Sequence, residues 1–138
     1  MYPAEIVAPM RADLTQVGFD ELTTAAEVDA ALALPGTTMI VLNSVCGCAA
    51  GSMRPAVKLA IQHATRPQHL TTAFAGVDRE AVDRARQYML PYPPSSPCVA
   101  LFKDGRLVHM VERHHIEGRS AAMIAEHLQA AFDEYCAN

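Results

Sequence analysis

The chain has 138 residues, of which 51% are hydrophobic and 19% charged. This length and composition favour a single globular domain that spans residues 1–138, and they exclude an intrinsically disordered chain. The formal net charge is -4, and the lack of a dominant basic surface argues against nucleic acid as a partner. No apolar run reaches the roughly 18–20 residues of a membrane span, and the start of the chain lacks the basic and apolar regions of a signal peptide. We therefore expect a cytoplasmic protein with no membrane partner.

Two helices are predicted before the first strand. The first covers residues 3–17 and is ended by Gly18. Its apolar side chains recur at helical spacing: Ile6, Met10, Leu14 and Val17. Thr24 and Glu27 have the spacing of a capping box, which begins a second helix that runs to Leu34.

Four strands, joined by helices and one hairpin, are predicted in the rest of the chain. The strands cover residues 37–43, 69–75, 98–102 and 107–111, and the helices cover residues 53–66, 78–90 and 120–135. A loop with four prolines over residues 91–97 precedes the third strand, and Asp104-Gly105 forms the hairpin turn that follows it. This order predicts an α/β fold in which a mixed, four-stranded sheet has helices on both faces.

The sequence Cys46-Gly47-Cys48 lies where the first predicted strand passes into a helix. Backbone N–H groups and the positive end of the dipole meet at a helix start, where they stabilise a thiolate and lower the pKa of a cysteine. Ligands also bind at strand ends in open α/β sheets. Gly47 tolerates the unusual backbone dihedrals that we expect a small disulfide ring to require. These features favour a nucleophilic, redox-active cysteine pair.

Other uses of this segment remain open on the residues alone. Cys46, Cys48 and Cys98 could bind zinc or copper(I) as thiolates. No Cys-x-x-Cys or histidine pair of ligand spacing supports a structural metal site, so we predict none. The two cysteines could also be small buried residues of a tight turn, or the protein a redox-inactive adaptor. A reducing cytoplasm favours chemistry for such cysteines over a disulfide framework.

The cysteine segment carries a specific resemblance. Residues 43–51, Asn-Ser-Val-Cys-Gly-Cys-Ala-Ala-Gly, resemble the active-site segment of the bacilliredoxin family. Further segments resemble the same family: Arg54-Pro55-Ala56, Pro94 to Pro97, Lys103-Asp104-Gly105, Arg113-His114 and Ile116-Glu117-Gly118. The resemblance covers nearly the whole chain and implies a thioredoxin-like fold with extra N-terminal helices.

The resemblance also implies an activity. It implies a thiol–disulfide oxidoreductase that removes bacillithiol, a low-molecular-weight thiol, from mixed disulfides on S-thiolated client proteins. In that assignment Cys46 attacks, Cys48 resolves the mixed disulfide and Gly47 supports the motif. Ser96 and Pro97 match the substrate-binding loop, with a cis bond between them. Bacillithiol is then a co-substrate, and no tightly bound cofactor is implied.

Several other residues with chemical potential receive structural interpretations. Arg54 and Lys58 could add positive potential to the cysteine turn, but we favour a solvated helix face for both. The adjacent His114 and His115 are expected in a solvated loop. The other two cysteines are also interpreted structurally. Cys98 is expected in the core with its sulfur turned inward, and Cys136 is expected to be a spare thiol at a helix end.

Overall fold

The computed structural model describes residues 2–137, and its strands form one five-stranded sheet. The strands are β1 (Asp20–Glu21), β2 (Thr37–Asn43), β3 (His69–Phe74), β4 (Cys98–Lys103) and β5 (Arg106–Val111). Their order across the sheet is β1-β3-β2-β4-β5. The β1–β3 and β3–β2 pairs are parallel, whereas β4 runs antiparallel to β2 and to β5. The predicted mixed sheet is therefore confirmed.

Six α-helices and one π-helical turn pack around this sheet. They are α1 (Ala4–Thr15), α2 (Ala25–Ala33), the π-helical turn Ala49–Met53 with α3 (Arg54–Ala60), α4 (Arg79–Tyr88), α5 (Arg113–Ile116) and α6 (Ala121–Tyr135). The predicted capping box of α2 is present, because the Glu27 N–H donates to Thr24 Oγ1 and the Thr24 N–H donates to Glu27 Oε1. None of the described helices is long and apolar enough to cross a membrane.

The sheet separates two hydrophobic cores, because successive side chains of a strand point to opposite faces. Met39 and Val41 of β2 face the core beneath α1, α3 and α6, which we call the α6-side core. Ile40 and Leu42 face the core beneath α2 and α4, which we call the α4-side core. All seven residues of β2 are buried. Helices on both faces were predicted, and this is confirmed.

The fifth strand, β1, is absent from the sequence-based prediction of four. Asp20 and Glu21 are both exposed and pair through their backbones with Thr71 and Thr72 of β3. A two-residue strand with exposed acidic side chains shows no alternation of apolar and polar residues, so its pattern does not distinguish it from a loop.

Two details of the predicted helices α1 and α4 are wrong. Ile6 and Val17 are exposed, and Val7 and Leu14 are the buried side chains of α1, so its apolar stripe is rotated from the predicted one. Asp78 does not cap α4 with its side chain. Its carboxylate instead accepts two hydrogen bonds of 2.8 Å from Arg11 and one of 2.9 Å from the Phe74 N–H. These contacts tie α1 to the end of β3.

The short helix α5 was expected to be a loop. Glu112 precedes it, and the Glu112 N–H donates to Nδ1 of His115 at 3.1 Å. Ile116 is fully buried in the α6-side core and anchors the turn, while His114 is exposed. One buried side chain in a four-residue helix leaves no repeat from which a helical period could be read.

Candidate active site

The two motif cysteines lie immediately after the central strand β2. The Cys46 N–H donates to Ser44 Oγ at 3.1 Å, and the Cys46 carbonyl accepts from the N–H groups of Ala49 and Ala50 at 3.0 and 3.3 Å. These bonds convert the strand into a helical segment within a few residues. The predicted location of the cysteines, at a strand-to-helix boundary, is confirmed.

Cys46 and Cys48 form a disulfide with their Cα atoms 5.5 Å apart. Gly47 between them is exposed, and a Cβ added to it would meet no atom beyond its chain neighbours within 4 Å. Its backbone is not in the positive-φ region that favours glycine. The disulfide therefore closes without a positive φ at Gly47.

The surroundings of the two sulfur-bearing residues differ. Both are partly buried, but Cys48 packs against the α6-side core, and Cys46 is not among the residues of that cluster. In thiol–disulfide exchange the attacking sulfur approaches along the S–S bond of the disulfide, so the cysteine that reacts with an external disulfide must be accessible. The difference in packing therefore favours Cys46 as the residue that first meets an external disulfide.

The proline loop ends beside the end of β2, from which the cysteine turn continues, and Pro97 is buried there. Cys98 pairs with Leu42, so Pro97 lies next to the end of β2, and the Ser96–Pro97 bond is cis as expected. The Ser96 carbonyl accepts a hydrogen bond from Arg113 Nη1 at 3.1 Å, so it is not free to pair with the backbone of a client strand. Leu90–Pro91 is also cis, which was not predicted.

Arg54 is the main functional candidate that the sequence analysis misjudged. It is only 5% exposed, and its Nη1 donates to Asn43 Oδ1 at 3.0 Å and to the Ser44 carbonyl at 2.8 Å. The expected solvated face is therefore wrong for Arg54. Its spacing contained the signal, because Arg54, Val57 and Ile61 stand at i, i+3 and i+7 on one buried stripe.

Lys58 differs from Arg54 in exposure but shares its acidic partner. Lys58 Nζ lies 2.8 Å from Asp13 Oδ1, and about two-fifths of its side chain is exposed. Asp13 Oδ2 lies 3.3 Å from Arg54 Nε, an ion pair without hydrogen-bond geometry. Burial lowers the pKa of Arg54, and the neighbouring Asp13 carboxylate acts in the opposite direction. Arginine remains protonated in proteins under such conditions.

Cys98 lies outside the cysteine turn, as expected for a core residue. It is fully buried in the α4-side core, whereas Cys48 packs against the α6-side core on the other face of the sheet. Burial raises the pKa of the Cys98 thiol to about 12. Cys98 and Cys48 thus lie on opposite faces of the sheet, and their sulfurs do not converge on one site. The three-cysteine metal site is therefore not assembled.

Glu112, His114 and His115 form a cluster of possible metal ligands that the sequence analysis did not identify. One candidate ligand atom from each lies within 4.8 Å of the others. However, His115 Nδ1 accepts the Glu112 N–H, so the proton of the neutral ring lies on Nε2. Neither ring nitrogen of His115 then offers a free lone pair, and the cluster supplies two ligands rather than three.

The chain is similar in sequence to proteins of one family. The family described as Disulphide isomerase matches residues 2–136. A bacilliredoxin of Cytophaga hutchinsonii is 63% identical, covering 97% of this chain and 99% of that protein, and one of Geobacillus kaustophilus is 52% identical over 96% and 91%.

Solved structures show the same fold. The oxidised mitochondrial thioredoxin 3 of Saccharomyces cerevisiae has a TM-score of 0.59 and 18% identity, covering 88% of this chain and 98% of that one. A mutant thioredoxin of Halobacterium salinarum has a TM-score of 0.61 and 15% identity, over 88% and 94%. The predicted thioredoxin-like fold is therefore confirmed.

Proposed function

The chain belongs to the bacilliredoxin family of thiol–disulfide oxidoreductases, and from that premise we propose that it reduces mixed disulfides between bacillithiol and client proteins. The observation that carries the proposal is the Cys46–Cys48 disulfide at the end of the central strand, beside the Pro97 loop. Two cysteines that close a disulfide at an accessible turn can, in their thiol form, pass two electrons to a client.

In the first proposed step, the Cys46 thiolate attacks the bacillithiol sulfur of the mixed disulfide. The Cys46–bacillithiol bond forms, the client–bacillithiol bond breaks, and the client leaves as a thiolate that takes up a proton. In the second step, the Cys48 thiolate attacks Cys46 and releases bacillithiol as a thiolate. The client–bacillithiol disulfide gains two electrons and becomes two thiolates, and the cysteine pair loses two electrons to become the observed disulfide.

The oxidised protein must then be reduced by an external dithiol or by two thiol molecules. This requirement follows from the electron balance, because each client reduction leaves the Cys46–Cys48 pair oxidised. In an alternative second step, free bacillithiol attacks the Cys46 adduct and forms bacillithiol disulfide, so Cys48 is not needed. The two routes share the first step and differ in their dependence on Cys48.

The Pro97 loop supports client docking beside Cys46. Arg86 Nη1 donates to the Ser95 carbonyl at 2.9 Å, and Arg113 donates to Ser96, so the loop is held from two elements. With the Ser96 carbonyl engaged and Pro97 buried, we propose that the half-buried Ser96 side chain forms the surface against which the client segment lies, with Pro97 holding the loop in place beneath it. An extended peptide positioned there can present its disulfide to Cys46.

The test uses a client protein carrying one bacillithiol mixed disulfide, with the glutathione mixed disulfide in a parallel reaction. We expect Cys46→Ser to abolish release of the client thiol. Cys48→Ser should perform the first step and accumulate a bacillithiol adduct on Cys46, detected by intact mass and peptide mapping. Cys136→Ser is the matched control, because it removes a thiol at the end of α6, outside the turn, and should react like the unmodified protein.

Three results would contradict the proposal. An adduct that forms on Cys48 in Cys46→Ser at the same rate would reverse the assigned roles. Equal rates with the glutathione and bacillithiol adducts would remove the proposed substrate preference. Release of the client thiol by Cys46→Ser/Cys48→Ser would show that the cysteine pair is not the reacting centre.

A further inference from the structure

The segment between β2 and the cysteine turn is held by one buried side chain. Arg54 Nη1 contacts both the Asn43 side chain and the Ser44 backbone, and these two residues directly precede the turn. Asn43 Oδ1 also accepts the Ser44 N–H at 2.8 Å, and Asn43 Nδ2 donates to the Met10 carbonyl at 3.0 Å. The guanidinium therefore joins a network that fixes the exit of the strand.

This network leads directly to Cys46. Ser44 is fixed at its N–H by Asn43 and at its carbonyl by Arg54, and its Oγ accepts the Cys46 N–H. The orientation of Ser44 therefore determines where the Cys46 backbone begins the helical turn. Buried hydrogen bonds of this kind hold geometry firmly, because an unpaired donor or acceptor costs about 1–3 kcal/mol.

The network also places a fixed positive charge against the Ser44 carbonyl, two residues before Cys46 in the chain. Three charged side chains meet there: Arg54, Lys58 and Asp13. Their formal sum is +1, since two cations share one carboxylate. The guanidinium is the buried member, with its side chain 6% exposed, so it is screened by water less than Lys58 is. A charge at this position favours the thiolate over the thiol of a neighbouring cysteine.

We propose that Arg54 is a positioning residue for thiol–disulfide exchange, holding the Asn43–Ser44 exit of β2 and supplying the buried positive charge that keeps Cys46 reactive as a thiolate. This inference rests on the proposed role of Cys46 as the attacking nucleophile. Arg54 touches no reacting atom in this assignment. It acts through Ser44, whose backbone and hydroxyl it orients, and through its charge.

The test measures the rate of Cys46 alkylation by iodoacetamide against pH in the reduced Cys48→Ser/Cys136→Ser protein. Cys98 is retained, because its enclosed thiol with a pKa of about 12 does not react in the folded state. In Arg54→Met the midpoint of the profile should rise, and alkylation below the midpoint should slow about threefold or more. Arg54→Lys keeps the charge and should keep the midpoint near that of the parent protein.

Substitutions of the partly exposed residues Asp13 and Lys58 should shift the midpoint of the alkylation profile in opposite directions. Asp13→Asn removes the carboxylate and should lower the midpoint, whereas Lys58→Met removes a cation and should raise it. Arg66→Met is the matched control, since Arg66 Nη1 bonds the Ile61 carbonyl at the other end of α3. This control should leave the profile unchanged. A role limited to stability would change the unfolding temperature without this pattern of signs.

The proposal is overturned if folded Arg54→Met has the parent midpoint, or if Arg66→Met shifts it equally. If Arg54→Met does not fold, the Asp13→Asn and Lys58→Met variants test the proposal instead. The proposal is then overturned if neither variant shifts the midpoint of the alkylation profile, or if both shift it in the same direction. Alkylation requires neither a client nor bacillithiol. If the charge variants shift the alkylation midpoint as expected but the protein does not reduce the client, the proposed function is contradicted and the role of Arg54 is not.

Discussion

Cys98 shows how one residue step separates a reactive position from an inert one. It directly follows Pro97 and pairs with Leu42 at the end of β2, yet its side chain lies in the α4-side core. The Cys46–Cys48 turn continues from β2 into the helices of the other face, with Cys48 against the α6-side core. Because successive side chains of β4 point to opposite faces of the sheet, the Cys98 thiol lies in the core and contributes to packing.

Replacing Cys98 should affect stability and leave thiol exchange unchanged. Cys98→Ser buries a hydroxyl in an apolar core, and we expect the free energy of unfolding to fall by about 1–3 kcal/mol. Cys98→Ala leaves a small cavity but no polar atom, so it separates the two causes. Urea unfolding gives the stability, and client reduction below the unfolding transition gives the activity. A slower reaction in the fully folded Cys98→Ala protein would contradict this assignment.

The residues of the site differ in how far the sequence could reveal them. The cysteine pair and Pro97 are recognisable by residue type and neighbours, and their placement follows from a strand-to-helix boundary. Arg54 was misjudged because its charge was weighed above its spacing, although it stands on the buried stripe of α3. Its acceptors come from the end of β2, on a different element, so no local pattern could name them.

At the scale of elements, β5 and α6 meet through a pair of histidines. The Nε2 atoms of His109 and His127 are 2.9 Å apart, so one ring donates and the other accepts, and the pair needs an unprotonated nitrogen. Partial burial is the main cause that lowers the pKa of His109, followed by the facing His127. The pKa of His115 is also lowered, chiefly by burial.

This contact should weaken in mild acid. Because the pKa of His109 is lower in the folded protein, the unfolded chain binds that proton more tightly. The stabilising contribution is therefore complete above about pH 6.5 and decreases as pH falls below it. We expect the urea midpoint to drop between about pH 7.5 and 5.5, and to drop less in His109→Gln. An unchanged pH dependence in His109→Gln would show that other groups govern it.

The elements that could be predicted are those with a repeating pattern or a defined cap. α2 carries its capping box, and β2 is an unbroken run of buried residues bounded by turn residues. β1 and α5 have two and four residues, too few to repeat any period. Their positions depend on backbone pairing with β3 and on burial of Ile116, which are tertiary contacts.

At the scale of the whole molecule, the sheet distributes the four cysteines among different environments. Cys46 and Cys48 share the turn at one end of β2, and Cys98 is enclosed in the α4-side core. Cys136 follows the last residue of α6, packs against the α6-side core, and its pKa is raised by partial burial. The fold therefore separates the paired thiols of the turn from one enclosed thiol and one half-buried thiol before any client is present.

These environments lead to defined thiol counts. The reduced native protein should show two fast thiols, Cys46 and Cys48, one slow thiol at Cys136 and none from Cys98, with four after unfolding. After oxidation, unfolding should reveal only Cys98 and Cys136, because the other two form the disulfide. Ellman titration with and without denaturant, repeated on Cys136→Ser, measures each count. Metal analysis of the same reduced sample should find no stoichiometric zinc or copper, since Cys98 lies across the sheet from the turn. Oxidation that consumes Cys98, or bound metal that protects it, would contradict the separation of thiols on which the proposed chemistry depends.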